Sequence, residues 1–323
     1  MKRIAVFTSG GDSPGMNACI RAVVRTCVYY NLENFGIIRG YQGMIEGNFI
    51  PMKSSSVSNI IQYGGTILKS ARSKEFFSPE GRKKAYRNLQ HHEIDGLVAI
   101  GGDGTFRGAS IFSKETGIPV IGIPGTIDND LYGTDFTIGY DTAINTAVEA
   151  IDKIRNTADS HDRIFFVEVM GRDAGFIAME CGIGSGAEVI MVPETITTMQ
   201  EVFDILKQGW NRQKTSSIII VAEGDEEGNA SMVASKVKEK FPHIDARVLV
   251  LGHIQRGGSP SAYDRVLASR LGLGAVEGLI NGMTHKMVGI VNGKLTFTEF
   301  DECVSRKKEI NQELLRITEI LRV

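Results

Sequence analysis

Apolar runs of four to eight residues, each closed by glycine or a polar loop, recur along this chain and constrain its fold more than any other feature. They are IAVF (4–7), GIIR (36–39), LVAI (97–100), VIGI (120–123), RIFFVEVM (163–170), EVIMV (188–192), SIIIVAE (217–223) and VLVL (248–251). Continuous β-branched runs, as opposed to in-out alternation, mark strands buried on both faces, as in parallel sheets. Between them lie stretches with helical periodicity over 15–30, 79–91, 105–116, 139–158, 174–182, 198–212, 229–241, 260–280 and 306–321. Strands alternating with helices build right-handed βαβ units, so the predicted class is α/β with mainly parallel sheets flanked by helices.

The 323 residues suffice for two ordinary domains, and a seam is expected near Phe136–Asp141. A formal net charge of −2 argues against a nucleic-acid partner. The basic runs Arg82-Lys83-Lys84 and Arg306-Lys307-Lys308 are expected to be solvated helix faces. No apolar run reaches the roughly 18 residues of a membrane span, and the start, MKRIAVFTSGGD, has too short an apolar stretch for a secretory leader. Cys19, Cys27, Cys181 and Cys303 form no CxxC pair, which argues against zinc or a disulfide framework and for a reducing, cytoplasmic compartment.

Three strand ends carry the chemistry. Thr8-Ser9-Gly10-Gly11-Asp12 follows IAVF, and Gly101-Gly102-Asp103-Gly104-Thr105 follows LVAI. Both are glycine-rich and lead into helices, where backbone N–H groups and the helix dipole suit an anion. The second lacks the GxxxxGK[ST] and GxGxxG patterns but offers Asp103 for Mg²⁺ held jointly with phosphate oxygens. Pro124-Gly125-Thr126-Ile127-Asp128-Asn129-Asp130 follows VIGI and is either a plain turn or a catalytic loop. Arg72, Arg172, His253 and Arg256 lie beside glycines at similar junctions, where a guanidinium fork matches phosphate. Phosphoryl transfer needs a metal, cations for transition-state charge, and a base for the attacking hydroxyl. Asp103, Arg72 with Arg172, and an Asp of TIDND supply these in turn.

The segments TSGGDSPGMNA, IGGDGT, PGTIDND, VEVMGR and GHIQRGGSP, in this order, resemble the bacterial ATP-dependent 6-phosphofructokinases from the first strand to about residue 280. The resemblance implies two Rossmann-like domains: 1–138 plus about 255–305 for ATP, and 139–254 plus about 306–323 for fructose 6-phosphate. It implies a homotetramer that transfers the ATP γ-phosphoryl to the 1-hydroxyl of fructose 6-phosphate, with Mg²⁺ near Asp103. Asp128 would be the base, with Thr126 and Asp130 nearby and Arg172 stabilising the transferring group. Gly11 and Arg72 would share in catalysis and, with Tyr41, Ser73, Gly102, Asp103, Gly104, Thr105 and Gly108, contact the nucleotide. Thr126, Ile127, Asp128, Asp130, Met170, Gly171, Arg172, Glu223, His253 and Arg256 would contact the sugar phosphate, which Arg163 and Arg247 would reach from a neighbouring subunit. An effector site for ADP or GDP as activator and phosphoenolpyruvate as inhibitor maps to Arg21, Arg25, Arg155, Gly186, Glu188, Arg212 and Lys214.

The chain departs from that pattern at Ser54, Ser55, Thr215 and Ser216, which stand where cationic or aromatic residues are common, and at Arg212 in place of a lysine; weakened or altered effector control is expected. Pyrophosphate-dependent relatives usually carry Asp at the position of Gly104 and Lys at that of Gly125, so the two glycines favour ATP as donor. The alternatives are the pyrophosphate enzyme and a non-catalytic sensor of nucleotide or sugar phosphate. The sensor would be marked by loss of Asp128, Asp103 or Arg172, all of which are present.

Overall fold

A computed structural model describes residues 1–214 and 216–321. The chain divides into two compact units. Unit 1 holds Met1–Ile127, Leu131–Thr142 and Arg256–Lys308; unit 2 holds Asp128–Asp130, Ala143–Gln255 and the chain from Glu309 onward.

Unit 1 is built on strands β1 (Arg3–Thr8), β2 (Glu33–Ile37), β3 (Phe49–Met52), β4 (Gly96–Gly101), β5 (Val120–Pro124), β10 (Lys286–Val291) and β11 (Lys294–Glu299). They form one sheet in the order β11-β10-β5-β4-β1-β2-β3. The five inner strands run parallel, and β3 and β11 pair antiparallel at the two edges. Alternate side chains of the central strands serve two buried faces: Ile4, Val6, Val98 and Ile100 in one core, Ala5, Phe7, Leu97 and Ala99 in the other. Helices α1 (Met16–Tyr29) and α9 (Ala262–Ile280) contribute to the first; α2 (Gly40–Glu46), α3 (Pro79–His91), α4 (Asp103–Thr116) and α10 (Phe300–Ser305) contribute to the second. The order reverses beside β1, since β2 lies on one side and β4 on the other. Open parallel sheets bind ligands at such a reversal, beyond the carboxyl ends of the strands.

Unit 2 has a fully parallel sheet, β7-β8-β6-β9, of β6 (Arg163–Val169), β7 (Val189–Met191), β8 (Ser217–Ala222) and β9 (Asp245–Val250). Its other elements are α5 (Tyr140–His161), whose first turn belongs to unit 1, α6 (Phe176–Ser185), α7 (Met199–Asn211), α8 (Ala230–Lys240) and α11 (Gln312–Leu321). The core combines Ile164, Phe166, Ile219 and Val221 with Val202, Leu206, Val233 and Val237. No helix among the described residues is long and apolar enough to cross a membrane, and all four cysteines are buried free thiols.

Several sequence expectations are corrected. Strand β9 is not buried on both faces: it is an edge strand, with Val248 41% and Val250 55% exposed. Strands β3, β10 and β11 and helix α2 were not foreseen. The helix expected over 306–321 begins only at Gln312, because residues 306–311 run non-helically: Lys307 bridges to Leu131 and Lys308 donates to the Asp135 carbonyl at 2.7 Å. Arg306 stacks 3.9 Å from the Tyr132 ring, so this basic run is not a helix face. Arg82 does lie in a helix but is buried, its Nε and an Nη donating to Glu115 at 2.6 and 2.7 Å.

Gly122 in β5 shows how tightly the second core is packed. A Cβ there would stand 2.5 Å from Phe106 and 2.6 Å from Phe300, whose rings are stacked against each other. Overpacking of a dense core costs about 1–3 kcal/mol. Gly122→Ala is therefore expected to lower unfolding free energy by that amount in urea titrations; a loss below ~0.5 kcal/mol would show that the ring pair yields.

Candidate active site

In unit 1 the first two glycine loops meet at the parting of β1 and β4. The Ser9 N–H donates to the Ile100 carbonyl at 3.0 Å, and Thr105 Oγ1 donates to the Ser9 carbonyl at 3.2 Å. A Cβ on Gly101 would stand 2.5 Å from that same Ser9 oxygen, so only glycine lets the loops close on each other. Gly10 has a left-handed φ of 86°, which glycine adopts without a Cβ penalty. Gly11 lies beside the Arg256 guanidinium, where its Cβ would fall 2.5 Å from Nη1, and the same nitrogen donates to the Asp12 carbonyl at 3.3 Å. Arg256 thus joins the first glycine loop, and His253, exposed on the one-turn 3₁₀ helix Gly252–Arg256, belongs to unit 2.

Helix α4 starts at Asp103 immediately after Gly102, so its N-terminus is aimed from the second loop. A Cβ on Gly104 would meet nothing within 4 Å, so the backbone is open to an approaching group there. Tyr41 is buried. Its hydroxyl donates to the Thr105 carbonyl at 2.6 Å, its ring stacks on Phe76 with centroids 4.0 Å apart, and a Cβ on Gly108 would touch it at 3.1 Å. Burial pushes its phenol above the usual range. Ser73 donates to Gln42 at 2.8 Å, and Arg72 is exposed. Gly102 abuts Thr126, with 3.6 Å between a Cβ there and the Thr126 Cβ. The Thr126 carbonyl accepts the Thr137 hydroxyl at 2.6 Å.

Unit 2 places Asp128 and Arg172 together. Asp128 is 1% exposed, and its Oδ2 lies 3.4 Å from Arg172 Nε, on a side chain 56% exposed. A carboxylate this buried needs a cation beside it to remain charged. Arg172 reaches it from an unusual backbone: its own φ is 54° and that of Gly171 is 151°. Two features hold that turn. The Arg172 N–H donates to Glu223 Oε1 at 2.7 Å, and a Cβ on Gly224 would fall on the Arg172 carbonyl oxygen. Ile127 and Met170 are buried, and Asp130 is half-buried. Along the edge strand, Arg163 Nε donates to Asp245 Oδ2 at 2.8 Å and Arg247 Nε lies 2.9 Å from Oδ1 of the same carboxylate. The Arg163 hydrogen bond, the leading influence, holds the Asp245 carboxyl below its usual range.

The residues expected at an effector site are divided. Arg21 and Arg25 lie on α1 in unit 1. In unit 2 a cavity of about 250 Å³ is lined by Glu188, Ile205, Leu206, Gly209, Arg212, Lys214 and Ser217. There Lys214 pairs with Glu188, whose other oxygen accepts the Ile218 N–H at 2.5 Å. Arg155 donates to the Ser185 and Gly186 carbonyls at 2.6 and 3.0 Å. Ser216 bonds to Asp159, Ser54 and Ser55 are exposed in a 3₁₀ turn, and Thr215 lies outside the described residues.

Sequence reasoning missed Gly224, Asp245 and Asp264. Gly224 could have been flagged as the glycine that closes the SIIIVAE run. Asp245 acts through register, since β6 and β9 place it opposite Arg163, and no spacing reveals that.

Asp103 is the carboxylate at the second loop, and both its oxygens receive Arg107 Nε, at 3.1 and 3.0 Å. No group of three metal-ligating side chains occurs among the described residues. One half-exposed carboxylate beside a helix N-terminus suits Mg²⁺ that is held mainly by phosphate oxygens and water.

Residues 3–279 match the family described as phosphofructokinase. A Cytophaga hutchinsonii protein named ATP-dependent 6-phosphofructokinase is 60% identical over 321 residues, 99% of this chain and 98% of its own. A Thermus thermophilus protein named ATP-dependent 6-phosphofructokinase 1 is 58% identical over 321 residues, 99% of each chain. The phosphofructokinase structure from Saccharomyces cerevisiae aligns at 34% identity and a TM-score of 0.90, covering 99% of this chain and 50% of the yeast one, so the present chain spans half the yeast length. A pyrophosphate-dependent phosphofructokinase from Marinobacter aquaeolei shares the fold, with a TM-score of 0.85 at 23% identity over 99% of this chain and 91% of its own.

Gly224→Ala drives a methyl group into the Arg172 carbonyl, and relief requires the turn to move. Strain of this kind costs about 1–3 kcal/mol. The expected outcome is a melting temperature lower by several degrees, together with faster exchange of the Arg172 amide; unchanged exchange would show that Gly224 does not hold the turn.

Proposed function

The chain belongs to the phosphofructokinase family, and from that premise we propose that it is an ATP-dependent 6-phosphofructokinase acting at the committing step of glycolysis. It transfers the γ-phosphoryl of ATP to the 1-hydroxyl of fructose 6-phosphate, giving fructose 1,6-bisphosphate and ADP. The observation that carries the mechanism is the buried Asp128 carboxylate beside the exposed Arg172 guanidinium. Asp128 accepts the proton of the 1-hydroxyl as that oxygen bonds to the γ-phosphorus and the bond to the bridging oxygen of ADP breaks. Arg172 neutralises charge on the phosphoryl oxygens, and its left-handed backbone holds it in place before the reaction begins. Thr126 adjoins the second glycine loop, two residues before the base in the chain.

Gly11, Gly102, Gly104 and Thr105 bring backbone to the phosphates, Arg72 and Ser73 line the nucleotide side, and Tyr41 with Gly108 forms its packed floor. Asp103 would hold Mg²⁺, which supplies charge neutralisation on the phosphates when bound. In unit 2, Met170, Gly171, Glu223 and His253 serve the sugar phosphate; Arg256 stands beside Gly11 in unit 1. Glycine at 104, where a Cβ would meet nothing within 4 Å, supports ATP over pyrophosphate. Asp245, on the edge strand β9, holds Arg163 of β6 and Arg247 as a pair, which supports their reaching a neighbouring subunit's sugar phosphate in a homotetramer. The unit 2 cavity supports a phosphorylated effector, a nucleoside diphosphate or phosphoenolpyruvate: Glu188, Arg212 and Lys214 line it, and Arg155 bonds to the Gly186 carbonyl in the same unit. Its control is weakened by serines at 54, 55 and 216. Free buried thiols support a cytoplasmic location.

The test is product formation by the purified chain with Mg²⁺ and either ATP or pyrophosphate. Turnover with ATP alone is expected. Turnover with pyrophosphate alone would reassign the donor, and binding of fructose 6-phosphate with no turnover from either would make the protein a sensor. Asp128→Asn should lower kcat by about 10² to 10⁴ with KM values within a few-fold; near-normal kcat would remove Asp128 as the base.

A further inference from the structure

Asp264 has no part in the chemistry above, yet it is fully buried and its carboxylate is fully engaged. It lies in the first turn of α9, where its N–H donates to the N-cap hydroxyl of Ser261 at 3.1 Å. Its carboxylate turns instead to the start of α5. Oδ1 accepts the Gly139 N–H at 2.8 Å; Oδ2 accepts the Thr142 N–H at 2.8 Å and the Thr142 hydroxyl at 2.5 Å. The Ser261 N–H returns a bond to the Thr142 hydroxyl at 3.0 Å, and the Ser261 hydroxyl bonds to Asp141 at 2.5 Å. Two helix starts are thus stitched together across about 120 residues of chain.

Segment 137–142, held in this way, is bonded to the end of β5. The Ile138 N–H donates to the Pro124 carbonyl at 2.9 Å, and the Thr137 hydroxyl to the Thr126 carbonyl at 2.6 Å. The same segment touches the first glycine loop. A Cβ on Gly139, at φ 101°, would stand 2.6 Å from the Ser13 Cβ, and one on Gly15, at φ 108°, 2.6 Å from Ile138 and 3.6 Å from the Asp264 Cβ. All these groups belong to unit 1.

We propose that Asp264 is a positioning residue for phosphoryl transfer: by anchoring Gly139 and Thr142 it fixes the segment that holds the carbonyls of Pro124 and Thr126, and so sets the loop that runs on into Asp128. A carboxylate suits the place because it accepts from three donors at once. An amide presents its NH₂ to one of them, so Asp264→Asn keeps the volume and breaks the anchor. The claim rests on the phosphofructokinase reading for its kinetic arm and not for its exchange arm.

The experiment compares the full-length wild type with Asp264→Asn, Thr142→Val, Thr142→Ser and, as a control, Asp301→Asn, which loses links to Ser110 and Lys114 elsewhere in unit 1. Displacement of a reacting group by about 1 Å costs up to ~10²-fold in rate. Asp264→Asn is expected to lower kcat at least about tenfold, with KM for ATP and fructose 6-phosphate within about threefold, and to speed amide exchange at Gly125 and Ile138. Thr142→Val should show part of both effects and Thr142→Ser neither, with the control near wild type in kcat. If kcat in Asp264→Asn stays within about twofold, or KM rises while kcat holds, the proposal is wrong. Should Asp264→Asn fail to fold, the Thr142 pair decides: equal kcat in valine and serine variants overturns it. A wild type without turnover would sink the phosphofructokinase reading instead, and unaltered exchange at Gly125 and Ile138 would then sink this one separately.

Discussion

At the carboxyl end of β1 the chain must leave the sheet beside β4, whose own loop leaves at the same level, and the two cannot both carry side chains there. The Ser9 carbonyl occupies the volume that a Gly101 side chain would need, while the Ser9 N–H remains tied to β4 through Ile100. This close approach lets α4 begin directly at the strand end and aims its N-terminus into the parting. Three further contacts depend on it. Thr105 bonds back to Ser9, Tyr41 bonds to Thr105, and Gly108 receives the Tyr41 ring. A larger residue at 101 would separate the loops and disturb each of these in turn.

Unit 2 solves a related problem with different means. A buried acid has to stay charged, so a cation must be delivered to it without a second buried charge. Arg172 meets this by leaving more than half of its side chain exposed while Nε reaches Asp128. A left-handed arginine is conformationally costly, by about 1–3 kcal/mol, and persists only where its surroundings over-determine it. Here the Glu223 carboxylate below its N–H and the bare Cα of Gly224 below its carbonyl do so. The pairing of the Arg172 cation with Asp128 is stored as backbone geometry.

What the sequence revealed follows from what it encodes locally. Buried parallel strands read clearly because Ile4–Phe7, Leu97–Ile100 and Ile218–Val221 are apolar on both faces. Strands β3 and β11 did not, since FIPM carries a proline and KLTFTE alternates, and edge strands paired on one side tolerate both. Helix α2, GYQGMIE, was hidden by its glycines, yet Gly43 has to be glycine because the Ile38 carbonyl lies against it. Candidate site residues at strand ends were visible as glycine and arginine punctuation. Partners set by register were not: Asp245 holds Arg163 and Arg247 only because β6 and β9 align, and Arg256 leans on Gly11 from the far end of the chain.

Asp264 shows how a correct local signal can conceal a remote role. Ser261-Ala-Tyr-Asp264 has the form of a capping box, in which the acid at the third helical position folds back onto its own N-cap amide. Half of the box is present, since the Asp264 N–H donates to Ser261 Oγ. The other half is diverted: the carboxylate caps α5, and the Ser261 N–H turns to Thr142. The exchange is feasible because the two helix starts lie side by side, each with backbone donors that need acceptors. Burial pushes the Asp264 carboxyl up to about 6 despite three donors, so near neutrality it carries a charge that only those donors stabilise. A self-contained capping box would gain nothing from such burial. A carboxylate tying two distant helix starts, and through them the end of β5, gives the buried charge a structural purpose.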